Sequence, residues 1–238
     1  MKWTLLDNQE MVAQVACERV LAAACKAISE RGTFRIVLAG GNTPERCYRR
    51  LSSSASDWEH WYVYFGDERC LPEDDPRRNS RMAAGTLTGK VPIPVGQIHP
   101  IPVELGAEAA VRHYTRIVND AMPFDLALMG VGEDGHTASL FPGHHHNEGL
   151  SVVPVYHAPK PPAERVSLGP AAFRACRQLL FLATGSGKRQ PLVSWRDGND
   201  LPAARIAVAS RSEILVDRAA WGCQDSSRNP RGTPKSEH

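Results

Sequence analysis

Residues 34–51, with the sequence FRIVLAGGNTPERCYRRL, contain the pattern that decides the fold. The apolar run at 34–41 predicts a buried strand that ends in a pair of glycines. The segment at 43–51 predicts a helix, with Thr43 as its N-terminal cap and Pro44 at the first helical position. A buried strand that leads through a short turn into a helix is the repeating unit of parallel sheets.

The same alternation recurs along the chain. Four more short apolar runs predict buried strands, at residues 61–65, 125–131, 178–184 and 213–217. Helical patterns lie between several of them, most clearly at 107–121, where the apolar residues share one face. We therefore expect an α/β fold, with a mostly parallel, Rossmann-like central sheet in a three-layer α/β/α arrangement.

A long helix is predicted ahead of these elements, over residues 7–32. Asp7 can cap it, with Glu10 three residues further on, and apolar residues then recur every four positions as far as Ile28. Gly32 supplies the stop signal. The sequence therefore predicts both ends of this helix.

The composition argues against several classes of protein. A chain of 238 residues can bury a large core, and its formal charge of +2, with dispersed arginines, does not suggest a nucleic-acid partner. No apolar run reaches the length of a membrane span, and no signal peptide is recognisable at the N-terminus. We expect a soluble, cytoplasmic protein that acts as a monomer, with one domain over residues 1–223 and a disordered polar tail over 224–238.

The six cysteines do not form a metal-binding pattern. They lie at positions 17, 25, 47, 70, 176 and 223, without a C-x-x-C pair. Structural zinc sites need closer pairs of ligands, so reduced thiols with a structural role are the favoured interpretation. We expect no metal site in this chain.

Ligands of parallel α/β folds gather at the carboxyl ends of the strands, so the loops after the predicted strands are the candidate site. The loop Gly40-Gly41-Asn42-Thr43 lets the backbone approach a ligand and leads into a helix. Unpaired N–H groups and the positive end of the helix dipole suit a phosphate there. A capped turn without a ligand explains this loop equally well.

The loop after residues 61–65 is charged. It reads Gly66-Asp67-Glu68-Arg69, so that three charged residues would stand at the ligand edge of the sheet. An ion-paired surface turn is the alternative. The position directly after a buried strand favours a role in binding or catalysis.

The loop at 185–188, Gly-Ser-Gly-Lys, invites comparison with an ATP-binding Walker A sequence. That pattern requires glycine at 182, which is Leu182, and Ser or Thr at 189, which is Arg189. What remains is a glycine turn that presents Lys188 to an anion near the start of a helix. The alternative is an exposed lysine on a turn.

The loop at 130–135, GVGEDG, matches the G-x-G-x-x-G pattern of dinucleotide-binding turns. That fingerprint also needs a helix directly after the glycines and an acidic residue about 20 positions later. Pro142 would end such a helix early, and Glu148 lies in a loop rich in Gly and His. The dinucleotide interpretation therefore lacks both of its supporting conditions.

His136 gives this loop a better explanation. Histidine titrates near neutral pH and can take a proton from water, and Asp134 is placed to orient its ring. A lone histidine in a turn is more often structural, and that alternative stays open on this pattern alone. The run His144-His145-His146 is expected to be an exposed loop that binds metal only adventitiously.

Five motifs together resemble the ordered signature of the 6-phosphogluconolactonase family: AGGNTP at 39–44, FGDER at 65–69, GVGEDGHTASLFPG at 130–143, RVSL at 165–168 and TGSGK at 184–188. The resemblance covers most of the chain, and the third motif is highly specific. It implies hydrolysis of 6-phospho-D-glucono-1,5-lactone to 6-phospho-D-gluconate, the second step of the oxidative pentose phosphate pathway, without cofactor or metal.

The resemblance also implies a role for each matched residue. His136 would be the general base that activates water, and Asp134 would support it. Asp67 and Arg69 would line the site, with Arg69 near the anionic groups of the substrate. The residues that would hold the 6-phosphate are Gly40, Gly41, Asn42, Thr43, Arg165 and Lys188.

Two alternatives to lactone hydrolysis stay open. Glucosamine-6-phosphate deaminases share the fold, but their motifs resemble H-I-A-F-N-E-P after the histidine and D-E-Y at the strand end. This chain has Phe141 in the place of that Glu and Arg69 in the place of that Tyr. A sugar-phosphate sensor without turnover usually carries a DNA-binding segment. The family often has serine where this chain has Ala39 or Gly40, so no hydroxyl contact to phosphate is expected there.

Overall fold

The computed structural model describes residues 1–222. Strands and helices alternate along them. The strands are β1 (Lys2–Leu6), β2 (Phe34–Leu38), β3 (Trp61–Phe65), β4 (Asp67–Arg69), β5 (Ile98–His99), β6 (Leu126–Gly130), β7 (Val152–Val155), β8 (Arg165–Leu168), β9 (Leu179–Ala183) and β10 (Ser212–Asp217). The helices are α1 (Gln9–Arg31), α2 (Asn42–Leu51), α3 (Asn79–Ala83), α4 (Ala107–Ala121), α5 (Pro170–Ala175), α6 (Arg189–Arg196), α7 (Pro202–Ile206) and α8 (Arg218–Trp221). The expected end of the domain at 223 and the expected disordered tail lie outside the described residues.

Seven strands form one sheet in the order β1-β10-β9-β6-β2-β3-β5, and neighbouring strands pair in parallel throughout. The central strands β9 and β6 are buried along almost their whole length. Burial on both faces explains why these strands are continuous apolar runs without polar alternation. The predicted three-layer α/β/α fold with a mostly parallel sheet is confirmed.

A second, antiparallel sheet was not expected from the sequence. It contains β4, β8 and β7, and it pairs Asp67 with Ser167 and Arg69 with Arg165. The charged segment after β3 is therefore not a surface turn, because its backbone is held in a buried ladder. The edge strand β1, which pairs with β10, was also missed.

Two predicted helix caps are wrong by one or two residues. The N-cap of α1 is Asn8, whose Oδ1 accepts hydrogen bonds from the N–H groups of residues 10 and 11, both at 3.0 Å. Asp7 instead accepts a hydrogen bond from Arg218 at 2.8 Å. Helix α2 begins at Asn42 with Gly41 as its N-cap, not Thr43. The predicted stop of α1 at Gly32, in the left-handed region, is confirmed.

Two buried tyrosines fix the strand ends that carry the candidate loops. The hydroxyl of Tyr48 accepts a hydrogen bond from the N–H of Ala39 at 2.9 Å and donates one to its carbonyl at 2.8 Å. The hydroxyl of Tyr114 accepts one from the N–H of Phe65 at 2.9 Å. Both rings are completely buried, so helices α2 and α4 hold the ends of β2 and β3 in place.

Two further expectations from the sequence concern reduced cysteines and the absence of a membrane span. Five cysteines lie in the described residues, and all five are free thiols. Burial raises the pKa of Cys176 to about 12, so this thiol is protonated and packs as an apolar group. Of the helices in residues 1–222, none combines the length and the apolar character that crossing a bilayer requires.

Candidate active site

Four neighbouring parallel strands, β9, β6, β2 and β3, end at the same edge of the sheet. The four loops selected from the sequence follow these strands and therefore lie side by side. A hydrogen bond of 2.7 Å joins the hydroxyls of Thr43 and Thr184, from the loops after β2 and β9. Another, of 2.5 Å, runs from the hydroxyl of Ser139 to Oδ2 of Asp67, from the segments that follow β6 and β3. From β2 the chain continues to β3, its neighbour on one side in the sheet, while its neighbour on the other side is β6. The strand order therefore reverses between β2 and β6, and ligands of such folds bind in the crevice at this point.

The turn after β6 holds His136 against Asp134. The N–H of Gly132 donates to the carbonyl of His136 at 2.7 Å, which closes the turn. Oδ1 of Asp134 accepts a hydrogen bond from the N–H of His136 at 3.1 Å and lies 2.5 Å from its Nδ1. A carboxylate at Nδ1 favours the tautomer with the proton on that nitrogen, which leaves the lone pair of Nε2 as the basic site. The arrangement is one that a general base needs.

The charge of Asp134 is maintained at neutral pH. Its partial burial raises the pKa of the carboxyl, but the backbone N–H and the imidazole of His136 outweigh this effect, and the pKa is lowered overall. An ionised carboxylate stabilises the imidazolium that forms when His136 takes a proton. The pair can therefore act together in proton transfer.

Position 132 must be glycine because His136 and Asp134 lie directly against its backbone. A Cβ atom at position 132 would overlap Nδ1 of His136 and would lie 2.6 Å from Oδ1 of Asp134. No helix follows the turn, because residues 137 and 140 form an isolated antiparallel bridge. The glycine pattern thus serves the approach of two side chains, and the helix that a dinucleotide site requires is replaced by an extended turn.

Asp67 lies beneath the loops and is only 6% exposed. Its Oδ1 accepts a hydrogen bond from Nδ2 of Asn79 at 2.9 Å, and its Oδ2 accepts one from Ser139. Asn79 also contacts the glycine loop, since a Cβ atom at Gly40 would lie 2.7 Å from Cγ of Asn79. Asp67 therefore connects the loop after β6 with helix α3 and, through Asn79, with the loop after β2.

The neighbouring Glu68 has a structural role. It is completely buried, and its carboxylate accepts hydrogen bonds from the backbone N–H groups of Asn79 at 2.7 Å and Ser80 at 2.8 Å. Nε of the buried Arg78 lies 3.6 Å from it. A carboxylate at the first turn of α3 satisfies N–H groups that the helix cannot, and so fixes Asn79 beside Asp67.

The predicted cations differ in their environments. Arg69 donates from Nη1 to the carbonyl of Arg77, while its buried Nε has no hydrogen-bond partner. Arg165 is 6% exposed and donates to backbone carbonyls of the 160–162 segment. Burial lowers the pKa of Lys188. Of these three, the guanidinium of Arg165 is the most fully engaged by the protein itself.

The glycine loop after β2 is shaped to receive an anion. Gly41 has φ 105°, a conformation that favours glycine, and no side chain caps the helix that follows it. Asn42, the first residue of α2, is exposed. The backbone N–H groups at this end of a ten-residue helix are the kind of group that binds phosphate.

Comparisons with known proteins decide the family. The sequence profile of the family described as "Glucosamine-6-phosphate isomerases/6-phosphogluconolactonase" matches residues 7–216. The chain belongs to this family.

Individual relatives and solved structures are similar to this chain over most of its length. A protein of Streptomyces coelicolor named 6-phosphogluconolactonase is 34% identical over 236 residues, which cover 90% of each chain. The crystal structure of 6-phosphogluconolactonase from Thermotoga maritima superposes with a TM-score of 0.85 at 28% identity, over 91% of this chain and 99% of that one. A chloroplastic relative from rice, Oryza sativa subsp. indica, is 35% identical over 204 residues. These cover 77% of this chain but only 62% of that relative's length.

Some of the site of this family member could not be found from the sequence. Asn79 and Ser139 meet Asp67 from 12 and 72 residues away along the chain. Asn79 belongs to no pattern that marks a ligand, and Ser139, although it lies in the motif at 130–143, has no role that the motif assigns. Lys160, whose Nζ lies 3.3 Å from Oε2 of Glu133, also lies outside the five motifs. A basic residue close to a Pro-Pro pair, just ahead of the RVSL motif, was the available signal.

The histidine run of this family member adjoins the candidate site, because the ring of Phe141 packs against those of His136 and His144. His145 is exposed as expected, but His144 and His146 are half-buried, and the three histidines line a cleft of about 220 Å³ with Phe141 and Glu148. Glu148 pairs with Arg174 at 2.5 Å. Within residues 1–222, no three His, Cys, Asp or Glu side chains lie together in a way that could hold a metal ion.

Proposed function

We propose that this chain hydrolyses 6-phospho-D-glucono-1,5-lactone to 6-phospho-D-gluconate. The observation that carries the proposal is the orientation of His136. Asp134 engages its Nδ1, so that Nε2 is the basic nitrogen at the edge of the sheet where the glycine loop and Lys188 also lie. Relatives named 6-phosphogluconolactonase, which match over nine tenths of both chains, support the same activity.

The chemistry is acyl transfer to water. Nε2 of His136 takes a proton from water as the oxygen adds to the lactone carbonyl, and Asp134 stabilises the imidazolium that results. Collapse of the tetrahedral intermediate breaks the bond between the carbonyl carbon and the ring oxygen. The ring oxygen gains a proton and the imidazolium of His136 loses one, so the products are the carboxylic acid and the freed hydroxyl and the base is regenerated. A general base contributes roughly 10²–10⁴ to the rate of such a step, which suits an activated ester.

The phosphate lies away from the reacting carbon, so its binding can position that carbon. We assign this binding to the loop Gly40-Gly41-Asn42-Thr43 and to Lys188. We also assign Arg69 to it, as a second positive charge near the anionic groups of the substrate. Interactions with a remote group of this kind hold the carbonyl near the base without taking part in the reaction. Neither a metal nor a cofactor is needed for this mechanism, and dialysis against a chelator is expected to leave the rate unchanged.

Phe141 argues against the deaminase alternative. It stands where the deaminase motif has Glu, and its ring packs against that of His136 with centroids 4.7 Å apart. An apolar ring at this position cannot assist the opening of an amino sugar by proton transfer. Release of ammonia from glucosamine 6-phosphate by this chain would reverse this conclusion.

The decisive experiment compares fresh 6-phosphogluconolactone with unphosphorylated gluconolactone, each corrected for spontaneous hydrolysis. We expect a much larger kcat/KM for the phosphorylated substrate, because only that substrate uses the phosphate subsite. Equal values would contradict the assignment of the subsite, and binding without turnover would identify a sensor. That the chain acts as a monomer in the cytoplasm stays a prediction, and light scattering tests the oligomeric state.

A further inference from the structure

An exposed ion pair stands at the edge of the candidate site. Nζ of Lys160 lies 3.3 Å from Oε2 of Glu133, and the two side chains are 58% and 62% exposed. Glu133 directly precedes Asp134 in the turn that carries the catalytic histidine. Ion pairs this exposed contribute little to stability, because water and salt screen them, so the pair can rearrange when a ligand arrives.

The carboxylate of Glu133 lies beside Lys160 and against the 185–188 loop. A Cβ atom at Gly187 would meet its Oε1 at 3.2 Å, so Glu133 rests against the backbone next to Lys188. The pKa of Lys188 is lowered chiefly by burial, raised by the negative charge of Glu133 and lowered further by the positive charge of Lys160. Glu133 therefore contacts Lys160 directly and lies against the loop that carries Lys188.

Arg165 fixes the backbone that carries Lys160. Its Nη2 donates to the carbonyl of Lys160 at 2.7 Å, and its Nε donates to the carbonyl of Pro162 at 3.1 Å. Its guanidinium also lies over the ring of Phe141, 5.5 Å from the centroid. Since Arg165 is buried and bound to backbone oxygens, its guanidinium is less available to a ligand than the exposed ammonium of Lys160.

We propose that Lys160 binds the phosphate of the substrate together with Lys188, that the phosphate displaces Glu133, and that Arg165 positions Lys160 without contacting the phosphate. This inference rests on the proposed function and names a further residue of its phosphate subsite. A phosphate dianion offers two negative charges and three acceptor oxygens where Glu133 offers one charge. Exchange of the carboxylate for the phosphate keeps Lys160 paired and gives Lys188 a partner of opposite charge.

The experiment measures kcat and KM of Lys160→Met, Lys160→Arg and Glu133→Gln with phosphorylated and unphosphorylated lactone. For Lys160→Met we expect KM for the phosphorylated lactone to rise about 10-fold or more, with kcat nearly unchanged, because a charge-assisted bond to the remote group is lost. The unphosphorylated lactone should show no change. Lys160→Arg should restore most of the affinity. Glu133→Gln should lower KM for the phosphorylated lactone, because the competing carboxylate is gone.

Arg165 is tested by a double substitution. If it acts through Lys160, Arg165→Met raises KM in the wild-type background but adds little to Lys160→Met. If the guanidinium contacts the phosphate directly, Arg165→Met raises KM by a similar factor in both backgrounds. That result would overturn this part of the inference. Lys26→Met, on the exposed face of α1, is the matched control and should change neither constant.

Different results would contradict the role of Lys160 and the lactonase activity. An unchanged KM in Lys160→Met, or an equal effect on both lactones, contradicts the role of Lys160 while the wild-type activity stands. If the wild type hydrolyses neither lactone, calorimetric titration with 6-phosphogluconate replaces the kinetics. Weaker binding to Lys160→Met and tighter binding to Glu133→Gln then support the subsite without the enzyme activity, and unchanged binding in both variants rejects it.

Discussion

The two edges of the parallel sheet are both rich in positive charge, yet they differ in how that charge is used. At the amino edge, a cleft of about 520 Å³ is lined by Lys2, Arg19, Lys26, Arg177 and Arg211, with Glu213 among them. Glu213 pairs with Lys2 at 2.8 Å and Arg19 at 3.0 Å, and Arg211 donates to two backbone carbonyls, each at 3.0 Å. These cations hold the protein together.

At the carboxyl edge, the buried carboxylates of Asp67 and Glu68 are satisfied by hydrogen bonds from the protein. Asp67 is engaged with Asn79 and Ser139, whereas within the described residues neither Nε2 of His136 nor the ammonium of Lys188 has a hydrogen-bond partner. No salt bridge to Lys188 forms within residues 1–222. Positive charge alone therefore does not mark a ligand site. A better criterion for a ligand site is a charged group that has no ion-pair partner within the protein and lies beside a backbone conformation that favours glycine.

The largest effect should come from His136→Ala at the carboxyl edge. Removal of the base should lower kcat on the phosphorylated lactone by about 10² or more, measured as initial rates after correction for spontaneous hydrolysis. Binding of 6-phosphogluconate, followed by calorimetry, should persist, because the phosphate subsite is intact. A variant with near-normal kcat would exclude His136 as the base.

Gly132→Ala should have the next largest effect. The added methyl group must displace His136 or Asp134, because its position overlaps the imidazole. A displacement of the base by about 1 Å can cost about 10² in rate, so we expect a large fall in kcat with a folded protein by circular dichroism. Gly96→Ala is the control, since a Cβ at that exposed position meets nothing within 4 Å. Equal activity of the two variants would show that the turn tolerates movement of the pair.

The sequence predicted the parts of this edge that follow local patterns. The apolar runs predicted the strands, and the loop after each strand could be read because parallel strands end at one edge. The second sheet was missed because β4 has only three residues, all of them charged, and charged residues are rarely buried. Glu68 is completely buried because the N–H groups of α3 satisfy it, and these lie 11 and 12 residues further along the chain.

Arg165 illustrates the same limit. The resemblance implies that Arg165 binds the phosphate, which stays a prediction, and in the structure its guanidinium donates to the carbonyls of residues 160–162. Whether a guanidinium meets a ligand or a backbone carbonyl depends on how a loop folds over it. The folding of the loop depends on tertiary packing, which a short sequence motif does not determine.

Lys188→Ala should affect binding more than catalysis. Loss of a charge-assisted bond to phosphate is expected to weaken binding by about 1.5–3 kcal/mol, seen as a higher KM for the phosphorylated lactone only. Because burial lowers the pKa of Lys188, the wild type should lose affinity as pH rises through a lower value than an ordinary lysine would give. Lys188→Arg, which stays charged, should keep a flat KM over the same alkaline range. A wild type as flat as that variant would contradict a contact between Lys188 and phosphate.

Glu213→Gln, at the amino edge, should have the smallest effect and should act on stability alone. Partial burial raises the pKa of Glu213, but its hydrogen bonds with Arg19, Lys2 and Thr4 lower it more, so the pKa is depressed in the folded state. The stabilisation is therefore present above the pKa of about 4.3 of an unfolded glutamate and is lost as pH falls through the folded value. We expect the variant to lose about 1 kcal/mol in urea unfolding at pH 7, with the difference from wild type shrinking in acid. Its kcat/KM should match the wild type, because cations that are paired within the protein do not serve the ligand. A loss of activity comparable to that of Lys188→Ala would mean that the two edges are not as separate as their contacts indicate.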